Sequence, residues 1–148
     1  MESNEKRQAD ALKLFVVLNR AQESVSKQAI KDIKKYGLNL TEFAVLELLY
    51  HKGPQPIQMI GKKVLLASSS ITYVVDKLEQ KSYIERTACP NDRRVTHARL
   101  TEKGEALMGE VFPQHAEALT KLFDHLSEDE LTNTISILRK VGLSIEKE

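Results

Sequence analysis

The chain has 148 residues, 41% of them hydrophobic and 29% charged, with a formal net charge of +1. That length suits a single domain of ordinary size, about 100–150 residues, and the composition allows a buried core and excludes a disordered chain. The charge balance excludes a uniformly basic nucleic-acid coater, and the longest apolar run, Leu14–Leu18, falls far short of the roughly 20 residues that cross a bilayer.

The spacing of apolar residues predicts a mainly α-helical chain with one small β-hairpin. Ala11, Leu14, Leu18, Ala21, Val25 and Ala29 recur at intervals of three and four. They predict a first helix from Ala9 to about Lys35, ended by a left-handed cap at Gly37. Leu12, Phe15 and Val16 widen the stripe, so its N-terminal half is expected to bury two faces. Thr41 is expected to cap a second helix carrying Phe43, Ala44, Leu46, Leu48, Leu49 and Tyr50, which stops at Gly53-Pro54. A short third helix follows from about Ile57 to Val64.

Ser68-Ser69-Ser70 offers hydroxyl caps for a fourth helix, with Ile71, Val74, Val75 and Leu78 on its apolar side. Its opposite side is Ser69, Thr72, Tyr73, Asp76 and Lys77. The period then changes to two. Tyr83–Ala88 and Val95–Leu100 suit strands, and Cys89-Pro90-Asn91-Asp92-Arg93-Arg94 suits a charged hairpin tip. Thr101 caps a helix reaching past Phe112, which Pro113 is expected to bend or restart. Ser127-Glu128-Asp129-Glu130 is a capping box, opening a last helix with Leu131, Ile135, Leu138 and Val141 on one side.

This order defines a winged helix–turn–helix with N- and C-terminal dimerisation helices. Residues 37–103 would form the DNA-binding lobe, and residues 1–36 and 104–148 the helical dimerisation region, within one intertwined domain. The terminal stripes are longer than a chain of this size can cover alone, so a homodimer with interleaved helices is expected.

The fourth helix would be the recognition helix, its N-terminal residues over base edges in the major groove of double-stranded DNA. Ser68, Ser69, Ser70, Thr72 and Tyr73 stand there, small hydroxyl side chains and one phenol able to meet phosphate, base edge or thymine methyl. Lys77, about one turn beyond Tyr73, suits a phosphate. The hairpin adds Arg93 and Arg94, a side chain favoured in narrow minor grooves, and Asp92 is placed to hold Arg94 by a paired hydrogen bond.

These residues also resemble a family. Asp92-Arg93-Arg94, followed after five residues by Leu100-Thr101-Glu102-Lys103-Gly104, is similar to the D-R-R-x5-L-T-x-x-G signature of the multiple antibiotic resistance regulator (MarR) family. Leu40-Thr41-Glu42-Phe43-Ala44-Val45-Leu46 resembles that family's second helix, and the run from Ile71 to Glu79 its recognition helix. The likeness is close from Leu40 to Gly104 and extends by pattern to the flanking helices.

The resemblance implies a homodimeric cytoplasmic transcription factor, usually a repressor of a pseudo-palindromic operator, dimerised through its first and last two helices. It implies that Ser68, Ser69, Ser70, Thr72 and Lys77 face the groove, that Arg94 enters the minor groove and that Asp92 orients it. Tyr73 departs from the pattern, standing where many members have a basic residue. The recognition helix and wing also resemble repressors that control quinone and hydroquinone detoxification genes.

Members of that family respond to small aromatic or phenolic compounds or to oxidants. Phe15, Asn19, His51, Phe112 and His115 are candidates for an effector pocket, and Cys89, the only thiol, is the candidate redox residue. Positive neighbours such as Arg86 would favour its thiolate. A lone cysteine forms no disulfide within the chain, and the polar start Met1-Glu2-Ser3-Asn4-Glu5-Lys6 is unlike a signal peptide, so a cytoplasmic location is expected.

An enzyme is the main competing class. His51, His97, His115 and His125 lack metal-ligand spacing, and the six glycines are scattered, so no catalytic residue, metal or cofactor is expected. A winged-helix module used only for protein contacts is the alternative, and the Asp-Arg-Arg tip argues against it. The charge is also unevenly placed. Residues 52–103 hold ten Lys and Arg against five Asp and Glu, whereas residues 104–148 hold four against nine. A basic reading head joined to an acidic tail suits an oriented DNA-binding face.

Overall fold

The computed structural model describes residues 2–64 and 68–146, with the side chains of all of these except Ser68 and Ser69. The elements are α1 (Glu2–Lys34), α2 (Leu40–Lys52), β1 (Gln55–Pro56), α3 (Ile57–Lys63), α4 (Ser68–Gln80), β2 (Ile84–Ala88), β3 (Thr96–Leu100), α5 (Glu102–Leu122) and α6 (Glu128–Glu146). The chain divides into two compact units, residues 1–115 and 116–148.

In the first unit, the core gathers Ile33 of α1, Phe43, Leu46 and Leu49 of α2, and Ile60 of α3. Ile71, Val75 and Leu78 of α4, Ile84 of β2, Ala98 of β3 and Met108 of α5 complete it. The expected apolar side of α4 is therefore the buried one. α1 begins seven residues before the expected start: Glu2, Glu5, Lys6, Arg7 and Gln8 are good helix formers, and the stretch carries no apolar stripe to signal it. Its expected burial does not occur within the single chain: Leu12 is 65% and Phe15 68% exposed, and only Asp32 and Ile33 are buried. Gly37, at φ +75°, supplies the left-handed position after the helix.

The cap of α2 is Asn39, not Thr41. The Asn39 side chain accepts the Glu42 N–H at 2.7 Å, and the Glu42 carboxylate accepts the Asn39 N–H at 3.0 Å, a reciprocal box that leaves Thr41 inside the first turn. Lys81 closes the arrangement by donating to the buried Glu42 carboxylate at 2.7 Å. α2 then ends at Gly53, whose φ is +76°.

The hairpin gains an unexpected third strand. β1 pairs antiparallel with β3, Gln55 opposite Ala98 and Pro56 opposite His97, so the sheet order is β1-β3-β2. Two residues, one of them proline, carry no alternation from which a strand could be read. β2 pairs with β3 from Ile84 opposite Leu100 to Ala88 opposite Thr96.

Thr101 caps α5 as expected. Its hydroxyl accepts the Gly104 N–H at 3.0 Å and donates to the Ser82 carbonyl at 2.6 Å, while its own N–H donates to the Tyr83 carbonyl at 3.0 Å. α5 does not restart at Pro113 and runs unbroken to Leu122. The missing N–H is a local loss within 21 helical residues.

In the second unit, Ser127 opens α6 with the expected box. Its hydroxyl accepts the Glu130 N–H at 3.1 Å, and its N–H donates to the Glu130 carboxylate at 2.9 Å. Hydrogen bonds from the Ser127 backbone and then its side chain hold the Glu130 carboxyl below its ordinary range. Ile135, Ile137, Leu138, Leu143 and Ile145 of α6 are exposed.

Candidate nucleic-acid interface

Burial of Ile71, Val74, Val75 and Leu78 turns the other side of α4 outward. Ser70, Thr72, Tyr73, Asp76 and Lys77 are exposed there, Tyr73 at 63%. The Lys77 ammonium lies 5.6 Å from the centre of the Tyr73 ring, one turn away, so the phenol and the cation form one surface patch. The backbone of Ser68 and Ser69 starts the helix; their side chains lie outside the described residues.

The wing tip is a compact turn. The Cys89 N–H donates to the Val95 carbonyl at 2.9 Å, and the Val95 N–H to the Asp92 carbonyl at 3.1 Å. Asp92 Oδ1 accepts the Arg94 backbone N–H at 3.0 Å and its Nε–H at 3.1 Å, while Oδ2 accepts from Nη2 at 3.4 Å. The Arg94 side chain remains 90% exposed, so the carboxylate directs the guanidinium without covering it. Arg93 is exposed and forms no ion pair among the described residues. Cys89 is a free, half-buried thiol at the end of β2.

The side-chain hydrogen bond to Arg94, then the backbone one, holds the Asp92 carboxyl below its ordinary range. A depressed value means that the turn's stabilisation is complete above the ordinary aspartate value, about 3.9, and is lost as pH falls through the depressed one. In an NMR titration, Asp92 is expected to ionise below an ordinary aspartate. In Arg94→Ala its midpoint should rise only part of the way back, because the backbone N–H remains. A midpoint identical in the two chains would show that the side-chain pair is not formed.

Two further arginines of the hairpin are engaged inside the molecule. Arg99 pairs with Glu85 across the β2–β3 ladder at 2.5 Å. Arg86 donates to Asp76 at 2.5 Å and to Glu79 at 2.6 Å, both on α4. Burial disfavours the Arg86 charge, but the hydrogen bonds and negative charges of Asp76 and Glu79 outweigh it and raise its pKa above the ordinary guanidinium range. Sequence reasoning missed this bridge. The three-residue spacing of Asp76 and Glu79 was readable, but nothing local indicated a partner in β2.

The effector candidates fall in separate places. His51 and Phe112 meet edge to face with ring centres 4.5 Å apart, and Tyr50 lies beside both. His115 is buried, its Nδ1 2.9 Å from the Asp32 carboxylate and its ring 4.5 Å from Phe43. Phe15 and Asn19 stand on the exposed part of α1, where the Asn19 amide donates to the Phe15 carbonyl at 2.9 Å.

A helix pair with a polar outer face, followed by a hairpin with a cationic tip, is the winged helix–turn–helix arrangement of DNA-binding regulators. Comparison with known proteins narrows this class. A model of the MarR family matches residues 38–96. The HTH-type transcriptional regulator MhqR of Bacillus subtilis (strain 168) is 56% identical over 137 residues, 93% of this chain and 94% of that protein. Among solved structures, Sco3205, a MarR family transcriptional regulator from Streptomyces coelicolor in complex with DNA, superposes with a TM-score of 0.83 at 20% identity. That match covers 90% of this chain and 86% of the other. Bordetella bronchiseptica BpsR, whose DNA binding is regulated by 6-hydroxynicotinic acid, is 25% identical with a TM-score of 0.77, over 88% of this chain and 98% of its own.

The chain belongs to the MarR family. It is a helix–turn–helix transcriptional regulator rather than an enzyme, and no helix among the described residues is long and apolar enough to cross a membrane.

Proposed function

We propose that the protein is a cytoplasmic, homodimeric repressor of a palindromic operator. α4 enters the major groove through Ser68, Ser69, Ser70, Thr72, Tyr73 and Lys77, and Arg93 and Arg94 reach the backbone and minor groove, with Asp92 fixing Arg94. The observation that carries this reading is the pairing of an exposed polar face on α4 with an exposed, carboxylate-directed arginine at the wing tip. In this reading residues 37–103 are the DNA-binding lobe, and residues 1–36 and 104–148 dimerise, the exposed apolar residues of α1 and α6 packing against a second copy.

Small aromatic, phenolic or quinone-type compounds, or oxidation of Cys89, release the operator by favouring a state with different spacing of the two recognition helices. Regulation of BpsR by a hydroxylated aromatic acid supports an effector of this class. Phe15, Asn19, His51, Phe112 and His115 are the residues to test as its contacts.

The decisive experiment selects genomic fragments with the wild-type chain and measures binding to the selected duplex. Affinity should fall steeply as salt rises, because neutralised phosphates release counterions. Arg94→Ala should weaken binding about tenfold while sedimentation still reports a dimer. Unchanged affinity in Arg94→Ala would sink the wing assignment, and a wild-type monomer at micromolar concentration would sink the dimer. Binding indifferent to phenols, quinones and peroxides alike would count against the effector.

A further inference from the structure

The hairpin carries four arginines, Arg86, Arg93, Arg94 and Arg99, and Arg86 differs from the rest in what it joins. Arg93 is exposed, Arg94 is held within its own turn, and Arg99 pairs within the sheet. Arg86 stands in β2 opposite Ala98 and reaches out of the sheet to α4. Nη2 donates to Asp76 Oδ1 at 2.5 Å and Nη1 to Glu79 Oε1 at 2.6 Å.

Asp76 and Glu79 lie three residues apart, and residues so spaced share one face of a helix. Two carboxylates on successive turns, gripped by one planar fork, constrain both the rotation of α4 about its axis and its position along it. A single contact would leave one of these free. The apolar contacts of Ile71, Val74, Val75 and Leu78 bury the helix, but apolar contact is non-directional and specifies its orientation less sharply. The Arg86 side chain is 28% exposed against 90% for Arg94, so its bridge is better shielded from solvent and salt than the pair at the tip.

The same geometry argues against a phosphate contact. One guanidinium between two carboxylates has a net charge of −1, and both of its terminal nitrogens are engaged. Thr72, Tyr73 and Lys77 stand within one turn of Asp76, while β2 leads directly into the tip that holds Arg94.

We infer that Arg86 is a positioning residue for DNA recognition: by clamping Asp76 and Glu79 it holds α4 and the wing in one fixed relation, so that both meet the operator in the same register, without touching DNA itself. This rests on the DNA-binding reading proposed above.

The test measures affinity for the duplex selected by the wild-type chain and for a scrambled duplex of equal length, each across a range of salt. Removing Arg86 alone would expose two carboxylates, so the principal variant is the triple change Arg86→Met, Asp76→Asn, Glu79→Gln, which removes all three charges together. Its selectivity, the ratio of the two affinities, is expected to fall about tenfold, the worth of one lost base contact. Its affinity for scrambled duplex should hold or rise, and its salt slope should stay unchanged. Arg86→Lys, which reaches one carboxylate at a time, should lose only part of the selectivity, and this graded rescue is readable even if the triple variant folds poorly.

Wild-type selectivity in the triple variant would overturn the inference. So would an equal loss on both duplexes with a salt slope lower by about one, the mark of a phosphate contact. A wild-type chain that selects no duplex would instead overturn the DNA-binding reading, and the role of Arg86 with it.

Discussion

His115→Leu is expected to destabilise the protein by about 3 kcal/mol, the cost of leaving a buried carboxylate without its hydrogen-bond partner. His115 of α5 and Asp32 of α1 are 83 residues apart in the chain and 2.9 Å apart in the fold, both more than nine-tenths buried. Removing the imidazole strands a carboxylate whose paired cation, Lys35, is 3.6 Å away and largely in solvent. Leucine keeps apolar contact with Phe43, so the loss reads the polar pair more than the packing. Urea unfolding of His115→Leu, Asp32→Leu and the double variant separates the two contributions. The double variant should be much less destabilised than the two single changes together, because it leaves neither partner buried without its hydrogen bond. Strict additivity would refute the idea that the pair acts as a unit.

The second large effect is at Gly104, where alanine is expected to cost about 3 kcal/mol through overpacking against backbone. A Cβ at this position would fall well inside van der Waals contact with the Tyr83 carbonyl oxygen and close to Leu100 Cδ2. That carbonyl cannot retreat freely, since it accepts the Thr101 N–H that helps to cap α5. Gly109, five residues along the same helix, is the control. A Cβ there meets only the Tyr50 hydroxyl, at 3.9 Å. Gly109→Ala should therefore stabilise by about 0.5–1 kcal/mol through helix propensity. Thermal melts of the two variants should shift in opposite directions, and shifts of the same sign would overturn the argument.

The Leu100-Thr101-x-x-Gly104 run shows what the sequence made legible. A threonine three residues before a glycine could be read as a cap, and it is one. The reason for the glycine lay in a carbonyl more than twenty residues earlier. The side chains facing outward from α4 were legible because Ile71, Val74, Val75 and Leu78 repeat with the helical period and so assign the opposite side by exclusion. Asp92 and Arg94 were legible because they are two residues apart.

Where the signal was absent or divided, the reading slipped. Thr41 was expected to cap α2, but Asn39 does, because Glu42 stands at the third helical position after Asn39 and completes the box with it. The first turns of α1 have no apolar residue to mark a period, and β1 is too short to show one. Nothing local paired Arg86 with Asp76 and Glu79, or Asp32 with His115. A contact between distant side chains is made by the fold and has no periodicity of its own.

The small sheet carries one more consequence. Its two free edges belong to β1 and β2, since β3 lies between them. β1 is two residues long and ends in Pro56, which has no N–H to offer an incoming strand. β2 carries Glu85 and Arg86, both already engaged by charged partners. An exposed hairpin is ordinarily a template for strand addition and aggregation, and charges and proline at sheet edges are the usual protection. Here one edge is cut short and the other carries paired charged side chains, so the wing can project into solvent without inviting a second wing to extend it.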